Sequence, residues 1–204
     1  MNILSINIRG LGASPKYIAL KNLFFSSSYR LILLQEIIHN RQDTISYFRK
    51  MFPSWYIAAT EVLRLSGGLA VIWDPRWISA STYRCIGGIL ISAKIRGCAD
   101  RINILNVYAP CKDRASYWEY FIAFGILENE ALLIAGDLNC TLGPDEVWGK
   151  GKKADAIGEK IKEAMLQFNY VDICPKVLSP TWDNVARVMP TLQKGWTDLS
   201  CMNS

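Results

Sequence analysis

The sequence predicts an α/β protein in which two sheets pack together and are covered by helices. Three observations support this prediction: short apolar runs recur along the chain, helical patterns lie both early and late, and glycines and charged residues separate the runs. Hydrophobic residues make up 50% of the 204 positions, enough for one substantial core. We therefore expect one domain of the α/β (α+β) class, without internal repeats or linkers.

The first elements follow from residue pattern and capping. Ile3–Ile8 alternates as a strand does, and Ser14 with Pro15 supplies an N-cap followed by proline for a helix that ends near Phe25. Leu31–Leu34 is a continuous apolar run typical of a buried strand. Thr44–Met51 has the pattern of a short helix.

Further strands then follow one another, separated by glycine and charged turns. They are predicted at Trp55–Ala59, Gly68–Trp73, Ile78–Tyr83, Ile89–Ile95 and Ile102–Tyr108. The last part of the pattern is a helix from about Asp113 to Leu127, a strand at Leu132–Ala135, a long loop at Leu142–Asp155 and a helix at Ala156–Phe168.

Charge and cysteine usage limit the class of protein. The net charge of +5 arises in residues 1–70, which hold eight Lys or Arg against three acids. This excess is compatible with a polyanionic partner and is also common on ordinary surfaces. The six cysteines form no CxxC pair, which is typical of a reduced intracellular protein. No basic region precedes an apolar stretch at the start of the sequence and no apolar run approaches about 18 residues, so neither a secretory signal nor a membrane span is expected. We expect an intracellular, soluble protein without a membrane partner, compatible with the nucleus; its oligomeric state stays open.

Polar residues end several of the predicted strands. The segment Ile134–Asn139 is an apolar run that ends in Asp137 and Asn139, whose side chains point to the same side because strand residues alternate. Similar strand ends carry Asn7, Glu36, and Asn106 with Tyr108. Strand ends that lead into loops are where a rigid scaffold presents reactive groups.

These residue types suit phosphodiester hydrolysis. A carboxylate such as Glu36 can hold one Mg²⁺, which keeps most of its waters and binds phosphate oxygens. Asp137 can orient or deprotonate the attacking water. Asn7 and Asn139 can donate hydrogen bonds without adding charge, and Tyr108 offers a phenol near developing negative charge.

Structural interpretations of the same residues stay open at this point. Glu36 could pair with Arg41 at the surface, and Asn7 could cap the following turn. Tyr108 could be a packed aromatic residue at a strand end. The Gly67-Gly68 pair indicates a close backbone approach at the start of a strand.

Six short segments occur in an order that matches a known family. They are Asn7-Ile8-Arg9-Gly10-Leu11, Leu34-Gln35-Glu36, Ser66-Gly67-Gly68-Leu69-Ala70, Asn106-Val107-Tyr108-Ala109-Pro110, Gly136-Asp137-Leu138-Asn139 and Pro180-Thr181-Trp182. With them the chain resembles the endonuclease/exonuclease/phosphatase superfamily, most closely the apurinic-type endonuclease domain of plant non-LTR (LINE-type) retrotransposons. The resemblance covers residues 1–184.

The resemblance implies a four-layered αββα sandwich of two packed mixed sheets. It implies a divalent metal, Mg²⁺ or Mn²⁺, at Glu36, with Asp137 and Asn139 acting on the water and Asn7 and Tyr108 on the phosphate. DNA is the partner of the retrotransposon enzymes. Two alternatives remain: a catalytically inactive retroelement remnant that binds nucleic acid, and a phosphatase of the same superfamily.

The C-terminal part departs from the family pattern. The family expects an Arg-Leu-Asp-Arg-like segment and a terminal Ser-Asp-His, and neither occurs; the only histidine is His39. Read in a shifted frame from Lys194, compatible codons can give Gly-Leu-Asp-Arg-Phe-Ile-Val-His-Glu, which resembles the absent segment. We therefore predict an incomplete domain at 1–193 whose last strands are missing, an aberrant tail at 194–204, an unpaired edge at Ile3–Ile8 and impaired activity.

Overall fold

A computed structural model describes residues 1–12, 14–61, 67–85, 88–129, 131–148 and 155–173, with three short strands beyond residue 173. The chain forms two compact units. The first consists of Met1–Tyr108 with Ala135–Asp137, and the second of Ala109–Ile134 with Leu138–Ser204. Neither unit is a continuous segment of the chain.

Strands and helices of the first unit follow the order that the sequence predicts. They are β1 (Asn2–Asn7), α1 (Ser14–Phe25), β2 (Tyr29–Gln35), α2 (Arg41–Met51), β3 (Tyr56–Ala59), β4 (Ala70–Trp73), β5 (Ile78–Cys85), β6 (Gly88–Ile95) and β7 (Arg101–Tyr108). The end of β8 (Leu132–Asp137) also belongs to this unit. The helix α2 begins earlier than predicted because Asn40 caps it, accepting a hydrogen bond from the Asp43 N–H.

One sheet of the first unit has the strand order β1-β2-β4-β3. The strand β1 pairs with β2 in parallel, and the other pairs are antiparallel. The middle of β2, from Leu31 to Leu34, is fully buried, as expected for a strand covered on both faces. The helices α1 and α2 cover one face, where the core consists mainly of Leu20, Phe24, Ile32, Leu34, Phe48, Met51 and Ile72.

The second sheet of this unit contains β5, β6 and β7 in antiparallel order, with β8 next to β7. The two sheets are in contact, because the Asn106 side chain on β7 donates hydrogen bonds to the carbonyls of Leu34 on β2 and Ala70 on β4. This arrangement confirms the predicted α/β sandwich.

Among the described strands, β1 lies at the edge of its sheet, with β2 as its neighbour. Ile3 pairs with Leu31 and Ile6 with Leu34, while the other side of β1 has no partner strand in the described part of the chain. This is the edge where the sequence predicts an unpaired strand.

The second unit combines helices with short strands. Its elements are α3 (Arg114–Ala123), β9 (Val147–Trp148), α4 (Ala156–Gln167), β10 (Tyr170–Asp172), β11 (Trp182–Asn184), β12 (Leu192–Lys194) and β13 (Leu199–Met202). The order β11-β12-β9 forms an antiparallel sheet, and β10 pairs antiparallel with β13, which is followed by β8. None of the helices among the described residues is long and apolar enough to cross a membrane.

Two details of the second unit differ from the sequence-based expectation. The helix expected to reach Leu127 ends at Ala123, because Gly125 adopts a φ of +72° and a short 3₁₀ turn follows at Ile126–Glu128. The segment predicted as a long loop contains β9, although residues 149–154 lie outside the described part. The strand β13 falls in the predicted tail, whose origin by a frameshift stays a prediction.

Candidate active site

The ends of β1 and β2 bring Asn7 and Glu36 to one edge of the first sheet. The two strands are parallel, and Asn7 pairs in register with Gln35, the residue before Glu36. Backbone hydrogen bonds continue past the strand ends, from Ile8 N to the Gln35 carbonyl (3.0 Å) and from Gly10 N to the Glu36 carbonyl (2.6 Å). Glu36 has a φ of +55°, so the chain turns sharply where its side chain leaves the sheet.

Asn7 and Asp137 are in direct contact. The Asn7 Nδ2 donates a hydrogen bond to Asp137 Oδ2 at 2.7 Å, across 130 positions of the sequence. The other end of the Asn7 amide is also held, since its Oδ1 accepts from the Arg9 N–H at 3.0 Å. Asp137 is buried, so this amide fixes the orientation of a carboxylate that has little room to move.

A buried hydrogen-bond network connects the strands just before they end at the site. The Gln35 Nε2 donates to Asn106 Oδ1 at 2.7 Å, and the Asn106 Nδ2 donates to the carbonyls of Leu34 (3.2 Å) and Ala70 (3.0 Å). Gln35 and Asn106 are both buried. Because Glu36 directly follows Gln35 and Tyr108 lies two positions after Asn106, the network fixes the backbone from which both site residues project.

The Gly67-Gly68 pair lies beside the Tyr108 ring. A Cβ atom at position 67 would be 3.9 Å from the Tyr108 Cδ1, and the two glycines have φ values of +102° and +86°. Their carbonyls accept hydrogen bonds from Ile38 N (3.2 Å) and Ile37 N (3.1 Å), in the segment after Glu36. The close approach predicted for this pair therefore connects the Glu36 loop with the tyrosine.

Asn139 belongs to the second unit and has its own set of contacts there. It has a φ of +49°, its Nδ2 donates to the Ala109 carbonyl at 2.5 Å, and its Oδ1 accepts from Cys111 Sγ at 3.5 Å. The Asn139 carbonyl accepts from Arg114 Nη1 at 2.7 Å. Hydrogen bonds of the side chain and of the carbonyl thus hold Asn139 in the left-handed backbone conformation.

Arg114 connects Asn139 to the start of α4. Its guanidinium also donates to both oxygens of Asp155, at 2.6 and 3.3 Å, and Asp155 Oδ1 caps α4 by accepting from Ile157 N at 3.1 Å. One arginine therefore joins the first turn of α3, the Asn139 backbone and the α4 N-cap.

Replacing Arg114 by Met should lower the free energy of unfolding by about 2 kcal/mol, because charge-assisted hydrogen bonds are lost and Asp155 is left without its guanidinium. Urea denaturation followed by circular dichroism measures this change. Lys160→Met is the control, since it breaks the exposed Lys160–Glu119 pair and should cost less than about 0.5 kcal/mol. Equal losses for the two variants would contradict the anchoring role of Arg114.

The donor set suits a hard divalent cation. The Glu36 carboxylate has no hydrogen-bond or ion-pair partner within the described part of the chain and lies at the same strand edge as Asn7. In that part, His, Cys, Asp and Glu side chains nowhere gather in groups of three or more that could hold a metal. A single carboxylate fits Mg²⁺, which retains waters and takes its other ligands from a phosphate, better than it fits a metal enclosed by protein ligands.

Most of the predicted site residues lie in the first unit. Three strands of that unit end at Asn7, Tyr108 and Asp137, and Glu36 directly follows a fourth. A hydrogen bond joins Asn7 to Asp137. Sequence reasoning missed the supporting roles of Gln35 and Asn106. The signal that could have found them is the occurrence of amide residues in otherwise apolar strands, since such groups are buried only with hydrogen-bond partners.

Comparison with known proteins identifies the family of the chain. Residues 2–199 match the model of the Endonuclease/Exonuclease/phosphatase family. A stretch of 105 residues, 50% of this chain, is 32% identical to the transposon TX1 uncharacterized 149 kDa protein of Xenopus laevis, of which it spans 8%.

Solved structures share the fold at low sequence identity. The endonuclease domain of TRAS1, a telomere-specific non-LTR retrotransposon, matches with a TM-score of 0.70 and 14% identity, over 99% of this chain and 84% of that one. The AP endonuclease LMAP from Leishmania major matches with a TM-score of 0.72 and 15% identity, over 98% and 78% of the two chains. The 3′ phosphatase NExo from Neisseria, bound to product DNA hairpin, matches with a TM-score of 0.62 and 15% identity, over 94% and 86%. The chain belongs to the endonuclease/exonuclease/phosphatase family.

Proposed function

We propose that this chain is a divalent-metal-dependent endonuclease domain of retrotransposon origin that hydrolyses DNA phosphodiester bonds. Family membership supports hydrolysis of a phosphate ester. The similarity to a transposon protein and to a retrotransposon endonuclease domain supports the origin. The similarity to an AP endonuclease and to a phosphatase bound to a DNA hairpin supports DNA as the partner.

One observation carries the proposal. Two carboxylates lie at strand ends of the first unit: Asp137 is buried and held by an amide, whereas Glu36 has no partner among the described residues. Asp137 accepts a hydrogen bond from Asn7, whose strand ends at the same edge as the strand that precedes Glu36. A general base must be held in a fixed orientation towards the water, whereas a cation ligand must have free oxygens. The two carboxylates differ in this way.

Each residue then has a distinct role. Glu36 would hold the cation, Mg²⁺ or Mn²⁺, which when bound supplies positive charge at the phosphate oxygens. Asp137 accepts the proton of the attacking water, and Asn7 keeps its carboxylate oriented. The Tyr108 phenol donates towards the negative charge that develops on the phosphate. Asn139 instead holds the loop after β8 through its hydrogen bond to the Ala109 carbonyl.

The rate of the chain alone should be low. No residues of the sequence match the terminal Ser-Asp-His of the family. The only histidine, His39, is exposed, and its Nδ1 lies 3.3 Å from the Ile37 carbonyl. This observation favours, as the second candidate, an inactive form that binds nucleic acid without cleaving it.

Nicking of supercoiled plasmid DNA in Mg²⁺ tests the proposal. The unmodified chain should convert supercoiled plasmid slowly to the open circular form, and EDTA should abolish this conversion. Glu36→Gln should reduce the rate by about a hundredfold, because it removes the cation ligand and keeps the side-chain volume. Glu163→Gln is the control, since this exposed carboxylate lies on α4 in the second unit.

A second protein keeps the test decisive if nicking is too slow to measure. It replaces the residues after Lys194 with the shifted-frame sequence Gly-Leu-Asp-Arg-Phe-Ile-Val-His-Glu, which resembles the absent Arg-Leu-Asp-Arg-like segment of the family. Activity of this extended protein, lost in its Glu36→Gln form, supports the proposal. Absence of metal-dependent nicking by both proteins, when both are folded by circular dichroism, overturns it in favour of the inactive form.

A further inference from the structure

A cluster of arginines lies at the end of the first unit opposite the candidate active site. Arg30 and Arg96 contact Trp77, and Arg76 contacts Asp74; these three arginines are here called the distal arginine cluster. Arg30 stands at the start of β2, six residues before Glu36, so strand geometry separates the two regions by about 20 Å. The same direction holds on β7, which begins at Arg101 and ends at Tyr108.

Trp77 holds two of the guanidiniums by cation–π contacts. The Cζ atoms of Arg30 and Arg96 lie 5.0 and 5.6 Å from the centroid of its ring. The Arg96 N–H also donates to the Trp77 carbonyl at 2.8 Å. The indole therefore keeps two like charges close together at a partly exposed position.

Asp74 binds the guanidinium of Arg76 and also contacts that of Arg30. Its buried carboxylate accepts from Arg76 Nε (2.9 Å) and Nη2 (2.8 Å) and from Arg30 Nη1 (3.2 Å). The hydrogen bond from the Arg76 side chain is the main reason why the pKa of Asp74 is lowered. Two guanidiniums thus bind one ionised carboxylate, and with Arg96 the cluster holds three positive charges against one negative charge.

Two further cations extend the positive charge along the neighbouring strands. Lys94 on β6 pairs in register with Arg101 on β7, and both are exposed. Lys94 lies two positions before Arg96, which directly follows the end of β6, and both side chains are exposed. Arg101 is held in place by donating to the Ser92 carbonyl at 2.6 Å.

We propose that the distal arginine cluster, with Lys94 and Arg101, binds the phosphate backbone of duplex DNA at a surface separate from the candidate active site. The Arg96 guanidinium makes no hydrogen bond within the described part of the chain, and Arg76 uses one edge of its fork on Asp74 while its side chain stays 69% exposed. Free guanidinium donors match phosphate oxygens.

The contacts of the Trp77 ring favour duplex DNA over single-stranded DNA as the partner. Single-strand sites need aromatic faces on which bases stack, whereas the Trp77 ring is already stacked with two guanidiniums. The surface therefore offers charge without a base platform. A duplex presents one charge per about 1.7 Å of its axis, the densest partner for such a surface. The inference needs no cleavage and so goes beyond the proposed function.

Binding of a fluorescent duplex, measured by anisotropy in EDTA over a range of salt concentrations, tests the inference. The variant Lys94→Gln/Arg96→Gln leaves Arg30 and Arg76 on Asp74, so the fold is retained. It should reduce the slope of log K against log salt by about 1.8, since each phosphate contact contributes about 0.9. The control Lys21→Gln/Lys162→Gln removes the same charge from exposed positions of α1 and α4.

A large change of slope in the cluster variant and little change in the control supports the inference. Equal changes in the two variants reveal an effect of net charge alone, and an unchanged slope in the cluster variant shows that these cations contact no phosphate; either result overturns the inference. A single-stranded oligonucleotide that binds as tightly, with the same loss in the cluster variant, overturns the assignment to duplex DNA. Because metal is absent, a failure of nicking does not affect this result.

Discussion

Asp137→Asn should lower the rate of plasmid nicking by about a thousandfold, within the range of about 10²–10⁴ that a general base contributes. Asparagine has the same shape, and its oxygen can still accept the hydrogen bond that Asn7 Nδ2 now donates at 2.7 Å. The substitution therefore removes the proton acceptor while it retains the contact. Initial rates of conversion from supercoiled to open circular DNA measure the effect, on the extended protein if the chain itself is too slow.

Two companion variants separate chemistry from structure. Asp145→Asn changes an exposed carboxylate in a 3₁₀ turn and should nick like the parent protein. Asn7→Ala keeps the Asp137 carboxylate but removes the amide that orients it, so an intermediate loss of about tenfold is expected. If Asp137→Asn is folded and nicks at the parental rate, Asp137 is not the general base.

The elements that the sequence predicted best are those whose pattern is set by burial. Leu31–Leu34 is apolar on both faces, and the structure covers β2 on both faces, so composition alone was sufficient. The helix α1 begins at Ser14 and ends at Phe25, close to the predicted bounds, because a proline in the first turn is a local signal. The end of α3 was predicted less well, since the positive φ of Gly125 is one of several conformations that glycine permits.

The candidate site was predicted through the polar residues at strand ends, but their contacts were not. Nothing in the local sequence near Asn7 indicates that its partner is Asp137, 130 positions away. Pairing across such a distance depends on sheet order, which residue pattern does not determine. The pattern placed the side chains of Asp137 and Asn139 on one side of an extended strand, but β8 ends at Asp137 and Asn139 has a φ of +49°, so strand alternation does not extend to Asn139.

The supporting network was missed because single amide residues in strands are ambiguous. Gln35 and Asn106 each interrupt an apolar run, and such a residue can point to solvent or into a core. Only the packing of one sheet on the other shows that both are buried and hydrogen-bonded to each other at 2.7 Å. The tertiary structure, not the local pattern, determines which interpretation holds.

Gly136→Ala should destabilise the protein by more than about 4 kcal/mol, enough to prevent the chain from accumulating in folded form. A Cβ atom at position 136 would lie 2.0 Å from the Val107 carbonyl oxygen and 2.8 Å from the Val107 nitrogen. These are backbone atoms of the neighbouring strand, so no side chain can move aside to relieve the clash. Gly136 also has a φ of +138°, a conformation that costs alanine further energy. Urea denaturation and the yield of folded protein measure the loss.

Gly97→Ala distinguishes the clash from the conformational strain. Gly97 has a φ of +88°, and nothing lies within 4 Å of the position that a Cβ atom would occupy. Its substitution should therefore cost only about 1–2 kcal/mol, the penalty of a left-handed conformation for a residue with a Cβ atom. If Gly136→Ala costs no more than Gly97→Ala, β7 and β8 do not approach as closely as described. A larger loss for Gly136→Ala than for Gly97→Ala shows instead that the residue before Asp137 must lack a side chain for β8 to lie against β7.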